Sequence, residues 1–464
     1  MAPLGSKTGR IEGGIDISAP SQATNRLLAR VGEVIEERAE EIAGISDAIM
    51  RIPELGFEEH RTAALVGNVL TEAGIPHRTG LAGTGIKAVL RGRSPGPTVA
   101  LLGELDGVLV PGHPLADRTS GAAPACGHHA QLASMIGAAF GLQQVMPELD
   151  GSVALMAAPA EEMRPPAQLA ALRRESGIEF PVGKAELLRL GELDDVDLAM
   201  LVHTGRENGP RFSVGDTLNA ALGVTATFHG RSAHAGSSPW LGIDASRAAR
   251  LAITAIEAQH ETFPGEDSVR IHVGSTAPES APGAVDAACT LDVLVRARST
   301  EALADARAKV ERSLRAGALA LGAGLTVSTS LAYLPTTPAP ELDRVVARNA
   351  TRVIGPDGHA YGRHLGASSD MGDLSHVMPV SHPYASGAVG GHHGVDYLVK
   401  DHRQAAVEPA LYLAGSVVDL LADGAAEARR VLAASTYLTT TEYVELRRSM
   451  STTYHLDPDE GMSS

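Results

Sequence analysis

Two kinds of strand share this chain, and the change from one to the other is what most constrains its fold. Residues 98–102, 152–157 and 196–202 are short, nearly unbroken apolar runs. Such runs suit strands covered on both faces, and the longer stretches between them, such as 131–144, read as helices. From about Leu218 the pattern changes. Leu222, Val224, Ala226 and Phe228 alternate with other residues, as do Ala287, Cys289, Leu291, Val293 and Val295. Strict alternation marks strands with only one buried face. The two kinds together predict an α/β sheet covered on both faces and, inserted in it, a second sheet open on one face.

The remaining periodicity fills in the order. Leu27, Leu28, Val31, Val34, Ile35, Ile42 and Ile45 recur at helical spacing over 25–50, and a second helix is expected over 62–74. Within the insertion the expected order is a strand, a helix over 244–260, a strand over 269–273, a strand, a helix over 300–321 and a strand over 325–331. That is the split βαβ arrangement of a ferredoxin-like α+β domain. Pro335, Pro338 and Pro340 mark a return linker, and an Ala-rich helix is expected over 409–433. The expected organisation is an arm at 1–25, a larger domain at 26–216 and 334–448, an insertion at 217–333, and a polar tail at 449–464.

Composition narrows the class of function. With 39 basic and 55 acidic residues the net charge is −16, which repels nucleic acid and anionic lipid. No uncharged apolar run approaches the roughly 20 residues that span a bilayer, and the first 25 residues lack a signal-peptide core. Two cysteines in 464 residues make no disulfide framework, so a reducing, cytoplasmic location is expected. The 18 histidines then raise the question of where they gather.

Four stretches can do chemistry. Cys126 and His128, with Gly127 between them, sit where a loop meets a helix and can bend toward one point, as a divalent transition metal requires. Read alone, they serve equally as a buried thiol beside helix-capping histidines. Glu161 and Glu162 end a buried strand; one can ligate a metal while its neighbour takes a proton from water. Read alone, they are a solvated acidic loop. His203 ends the strand 196–202, and His392 and His393 lie in the glycine loop 390–394. Singly these histidines read as structural. Three of the four stretches fall at the functional edge of an α/β sheet, and together they supply Cys, His and carboxylate in the proportions of a metal site.

These residues resemble the zinc aminopeptidase-like amidohydrolases, in the branch of aminoacylases, p-aminobenzoyl-glutamate hydrolases and plant auxin-conjugate hydrolases. The likeness is carried in order by Pro53 to Glu59, Gly83-Thr84-Gly85, Glu104-Leu105-Asp106, Ala125-Cys126-Gly127-His128, Ala160-Glu161-Glu162, Gly230 to Ala235 around His234, and Ser368 to Ser375. The resemblance implies a mixed sheet flanked by helices with an inserted lid, or dimerisation, domain. It implies metal ligands at Cys126, His128, Glu162, His203 and His393, with His392 the alternative to His393. Asp106 would orient ligands and Glu161 would be the general base. His234 would reach into the neighbouring subunit's site to polarise the scissile group. The metal would be zinc, or manganese, cobalt or nickel, and the assembly a homodimer or higher homo-oligomer formed through the lid.

Two positions depart from the family pattern. His129 follows Cys-Gly-His where relatives have Asp or Asn, and Glu279 stands where they carry an asparagine that holds a substrate carboxylate. A glutamate repels a carboxylate, so His129, Glu279 and His392 become candidate substrate-binding residues. The expected activity is hydrolysis of a carbon–nitrogen bond in a small molecule, an N-acyl or aminobenzoyl amide. Two alternatives stand beside it. One is hydrolytic deamination of an electron-poor aromatic amine such as a nitro-substituted aminobenzoate; the other is a non-catalytic metal-bound dimeric scaffold, against which the retained Glu161 argues.

Overall fold

The computed structural model describes residues 21–457 other than 165, 206 and 275–281. A six-stranded mixed sheet forms the centre of the larger part. Its strands run in the order His77–Leu81, Gly85–Arg91, Asp150–Ala158, Ser94–Glu104, Leu198–Met200 and Val380–Ser381. The first two pairings are antiparallel and the other three parallel. The three parallel strands Asp150–Ala158, Ser94–Glu104 and Leu198–Met200 therefore end at the same edge.

One face is covered by the helices His128–Gln143, Glu408–Leu421, Gln22–Glu37 and Ala39–Met50, which share a single apolar core. The helix His128–Gln143 is buried from His128 to Leu142, as expected of a helix that is apolar all round. It lies so close to the sheet that a Cβ on Gly103 would stand 2.9 Å from Leu132. The opposite face continues into the insertion. Ala100, Leu102, Ala154 and Met156 belong to one apolar cluster with Leu222, Val224, Leu291 and Val293.

The inserted sheet runs Arg270–Val273, Ala288–Ala297, Ala220–His229, Gly324–Tyr333, all antiparallel. The helices Ala245–Glu257 and Thr300–Leu321 pack against it and against each other, with the ideal Cβ position of Gly317 only 2.5 Å from the Ala248 carbonyl. This is the ferredoxin-like lid.

Three local expectations change. Residues 452–456 are not tail: Thr452–Leu456 is a fifth strand of the lid sheet, antiparallel to Gly324–Tyr333. Tyr454 and Leu456 pack against the lid core while Thr453 and His455 are exposed, as alternation on a sheet edge requires. Residues 21–25 are not arm, since Ser21 caps the helix Gln22–Glu37 by accepting from Thr24 N–H. The expected helix 409–433 is broken, with Asp423, Gly424 and Ala425 all at positive φ between Glu408–Leu421 and Ala426–Leu432. Among the described residues no single helix is long and apolar enough to cross a membrane.

Candidate metal centre

The edge shared by the parallel strands carries the chemistry. Ser94–Glu104 leads to Asp106, Asp150–Ala158 to Glu161 and Glu162, and Leu198–Met200 to His203. Cys126 and His128 arrive from the side, through a turn that only glycine can make. Gly127 has φ +88°, and a Cβ there would lie 2.0 Å from Thr204 Oγ1.

Asp106 aligns two of the strand ends. Its Oδ1 accepts from His128 Nδ1 at 3.0 Å, and its Oδ2 accepts from the Glu162 backbone N–H at 2.8 Å. With Nδ1 so engaged, His128 presents Nε2 to the site, the usual arrangement of a metal-binding imidazole with a carboxylate behind it. His203 is arranged alike, with Nδ1 donating to its neighbour's carbonyl, Thr204 O, at 2.8 Å. His393 stands at φ +61° in the glycine loop, its N–H donating to Ala125 O at 2.8 Å.

The ligand atoms gather into two triads that share the thiol: Cys126, His128 and His203, and Cys126, Glu162 and His393, with the atoms of each triad within 4.8 Å of one another. The donor set fits divalent cations. His128 Nε2 is buried without a hydrogen-bond partner among the described residues. Glu162 Oε1 also lacks hydrogen-bond geometry although His393 Nε2 stands 2.8 Å away, an approach that suits two groups around one cation. Sulfur, imidazole and carboxylate together are a set for zinc or its neighbours in the transition series.

Glu161 belongs to neither of these two triads; it groups instead with Glu104 and His128, whose ligand atoms also lie within 4.8 Å of one another. It is buried, and that burial, with Glu104 and Glu162 close by, pushes its carboxyl well above the usual range. Glu162 moves the other way: against the cost of burial, His393 and His128 hold it below the usual range. Adjacent glutamates with opposed proton affinities are suited to divided roles.

A buried charge cluster stands behind them. Glu104 Oε2 lies 3.1 Å from His128 Nε2, while Glu104 Oε1 and Asp370 Oδ1 each accept from Lys184 Nζ at 2.5 Å. Sequence patterns do not mark these three as a unit. Glu104 and Asp370 fall within motif stretches, but nothing local in the sequence connects either of them to Lys184.

The other predicted residues separate. His392 lines the cavity in front of the triads, but its Nε2 donates to Thr204 O at 3.0 Å. His129 does not line that cavity; its ring lies 6.3 Å from that of His402 between centroids. Successive helical residues diverge by about 100°, so His128 and His129 cannot both face the metals. Glu279 lies outside the described residues. His234 is exposed on a lid loop and is not part of this chain's own cavity.

That cavity has a volume of about 580 Å³. Beyond the ligands it is walled by Arg296 and Tyr333 of the lid and by Arg363, Ser368, His382 and Tyr384. A larger groove of about 930 Å³ beside the open lid face contains none of the triad residues.

A mixed α/β body with a ferredoxin-like lid, and a thiol shared between two ligand triads beside a spare glutamate, define a metal-dependent hydrolase. Comparison with known proteins agrees. Residues 217–320 match the peptidase dimerisation domain. The chain is 27% identical over 383 residues to the Xaa-Arg dipeptidase of Mus musculus, covering 77% of this chain and 79% of that protein. It is 28% identical over 285 residues to one component of the p-aminobenzoyl-glutamate hydrolase of Escherichia coli, covering 59% and 61%. The fold is that of the Bacillus subtilis YXEP protein, a dinuclear metal binding peptidase from the M20 family, with a TM-score of 0.60 at 19% identity over 83% of this chain and 99% of that one. The aminobenzoyl-glutamate utilization protein of Klebsiella pneumoniae gives 0.63 at 20% identity, covering 84% and 98%. Residues 217–320 are thus a peptidase dimerisation domain, and over most of its length the chain is similar to metal-dependent peptidases and amidohydrolases.

Proposed function

We propose that this protein hydrolyses an amide bond in a small molecule of the N-acyl or aminobenzoyl type, as a homodimer. The observation that carries the reading is Glu161: a buried carboxyl of raised proton affinity, outside the two triads that share Cys126 and with its Oε2 3.9 Å from His128 Nε2. Cys126, His128 and His203 would hold one divalent cation, zinc or a transition-series neighbour, and Cys126, Glu162 and His393 a second. Bound there, such cations acidify water and polarise a carbonyl.

The chain's own groups do the rest. Glu161 takes the proton of the attacking water and returns it to the leaving nitrogen. Tyr333 donates its hydroxyl to the Glu161 carbonyl at 2.8 Å, which steadies that turn from the lid side. His234 Nδ1 accepts from the backbone N–H groups of Gly236 and Ser237, both at 3.1 Å. Nε2 therefore carries the ring proton and serves as a donor, suited to negative charge developing on a carbonyl oxygen in the neighbouring subunit's site.

The test is to incubate metal-loaded protein with N-acyl amino acids, aminobenzoyl conjugates and nitroanilines while measuring carboxylate, amine and ammonia. Carboxylate and amine released together support the amidase reading. Ammonia from a nitroaniline alone replaces it with deamination, and turnover of none of them leaves the scaffold. Glu161→Gln should lower kcat by about 10²- to 10⁴-fold with metal retained.

A further inference from the structure

The chain passes between the larger part and the lid at two places that lie side by side. Ala221, just inside the lid on the way in, pairs with Tyr333 on the way out, and beyond the sheet the Thr336 N–H donates to Leu218 O at 3.2 Å. Two adjacent crossings by themselves make a hinge about which a lid can swing. A third tie stands against that motion. The strand Thr452–Leu456 runs antiparallel to Gly324–Tyr333, from Thr452 opposite Thr329 to Leu456 opposite Leu325. At about 3.3 Å per residue, Leu325 stands about 26 Å from Tyr333. A swing of about 10° about the crossings would carry that far end about 4–5 Å, more than a hydrogen-bonded ladder tolerates unless the added strand moves with it.

That strand has no slack with which to move. Ser451 alone separates it from the helix Thr440–Met450, and one residue spans at most about 3.6 Å. The helix is fastened to the larger part. Tyr443 is buried in one apolar cluster with Leu187 and Leu188, and its hydroxyl donates to Asp373 at 2.9 Å. Thr440 Oγ1 donates to Asp194 at 3.0 Å, and Arg448 donates to both oxygens of Glu179 at 2.6 and 2.8 Å. The Arg448 pair is solvent-exposed and contributes little, so the buried Tyr443 carries more of the anchorage. On the lid side the grip extends beyond the ladder, because Arg307 of the helix Thr300–Leu321 donates to Thr452 Oγ1 at 2.7 Å.

We propose that residues 440–456 are a strap that locks the lid to the larger part, so that the lid wall of the cavity stands at a fixed distance from the ligand triads before anything binds. The helix holds one side of the seam, the strand holds the other, and Ser451 is too short to let them part. The lock is independent of the reaction catalysed.

Hydrogen exchange of the full-length protein, followed by mass spectrometry, reads the lock at the crossings 217–220 and 333–337. In one variant about six Gly/Ser residues are inserted after Ser451, which keeps every contact available and supplies about 13 Å of slack. In a second, Tyr454→Pro is combined with His455→Pro; successive N–H groups of a strand point to opposite sides, so one of the two is lost from the side facing Gly324–Tyr333. Exchange at both crossings should quicken at least about tenfold in both variants, while the lid strand Ala288–Ala297 stays within about twofold of the wild type. Unchanged exchange at the crossings overturns the lock, since the lid is then held by its own packing against the larger part. Equal acceleration throughout the lid, Ala288–Ala297 included, also overturns it, because the strand then only completes the fold of the lid. The insertion variant decides the matter if the proline variant fails to fold.

Discussion

Glu59 accepts a hydrogen bond from the backbone N–H of Ala160 at 2.7 Å. Ala160 stands at φ +44°, one residue ahead of Glu161, so a carboxyl from a distant loop fastens the strained turn that presents both glutamates. Thr84 Oγ1 closes on the other oxygen of Glu59 at 2.5 Å. Burial, with Asp106 nearby, raises the Glu59 carboxyl from 4.5 to about 8. A carboxyl raised on folding contributes stability that is fully present below about pH 4.5 and lost as pH rises through about 8, with a slope of up to about 1.4 kcal/mol per pH unit in that window. Glu59→Gln copies the protonated form. Thermal midpoints measured from pH 5 to 8 should therefore fall with pH more steeply in the wild type than in Glu59→Gln, and parallel profiles would refute the assignment.

Cys126 is the residue common to both triads. Cys126→Ala should therefore cost both cations, whereas His393→Ala should cost one and leave the Cys126, His128 and His203 set. Metal per chain after dialysis, read by atomic absorption, separates these outcomes. Equal losses in the two variants would contradict a shared thiol.

Gly127 makes that sharing sterically feasible. An alanine would carry its Cβ to 2.0 Å from Thr204 Oγ1 and 2.5 Å from Tyr397 Oη, at φ +88°. Gly127→Ala should lose about 1–3 kcal/mol from backbone strain alone, and it should bind metal less tightly because Cys126 and His128 flank the displaced residue. Chemical denaturation with and without chelator measures both effects; unchanged metal affinity would place the ligands independently of this turn.

Arg447, from the C-terminal helix Thr440–Met450, is 1% exposed. It pairs with Asp373 and donates to the carbonyls of Leu331 at 2.7 Å and Ala332 at 3.1 Å, next to Tyr333. The C-terminal segment thus braces the point where the lid returns to the larger sheet. Arg447→Met leaves the buried Asp373 without its cation, held only by hydrogen bonds from Tyr443 and the Leu334 N–H, and should cost about 3–5 kcal/mol, with part of that recovered in the Arg447→Met, Asp373→Asn double variant. A loss below about 1 kcal/mol would mean the pair behaves like a surface salt bridge.

What is legible in the sequence follows the range of the interactions involved. Strand type and order can be read because burial leaves a period of two or an unbroken apolar run within a few residues, as at Leu222 to Phe228. Cys126 and His128 can be picked out because their joint geometry depends on one glycine. The Lys184, Glu104 and Asp370 cluster cannot be, since its members lie 80 and 186 residues from Lys184 and each has the look of an ordinary surface charge. Thr452–Leu456 escapes because only Tyr454 and Leu456 of its five residues pack against the core, too short an alternation to mark a strand. His129 is misplaced when adjacency in sequence stands for adjacency in space, because a helix turns neighbouring side chains apart.

His234 is exposed on the lid and takes no part in its own chain's cavity, while its tautomer leaves Nε2 free to donate. If it completes the partner's site, His234→Ala should lower kcat by about 10²-fold, the scale of losing one donor to developing charge, without changing metal content. Glu161→Gln should be inactive for a different reason, the loss of the base. Mixing the two inactive variants under conditions of subunit exchange then creates hybrid dimers in which one site has both an intact Glu161 and an intact His234. With random exchange, about half of the dimers are hybrids and each holds one complete site, so activity should rise to about a quarter of the wild-type value. If His234 acted within its own chain, every site in the mixture would lack one of the two groups and no recovery would occur.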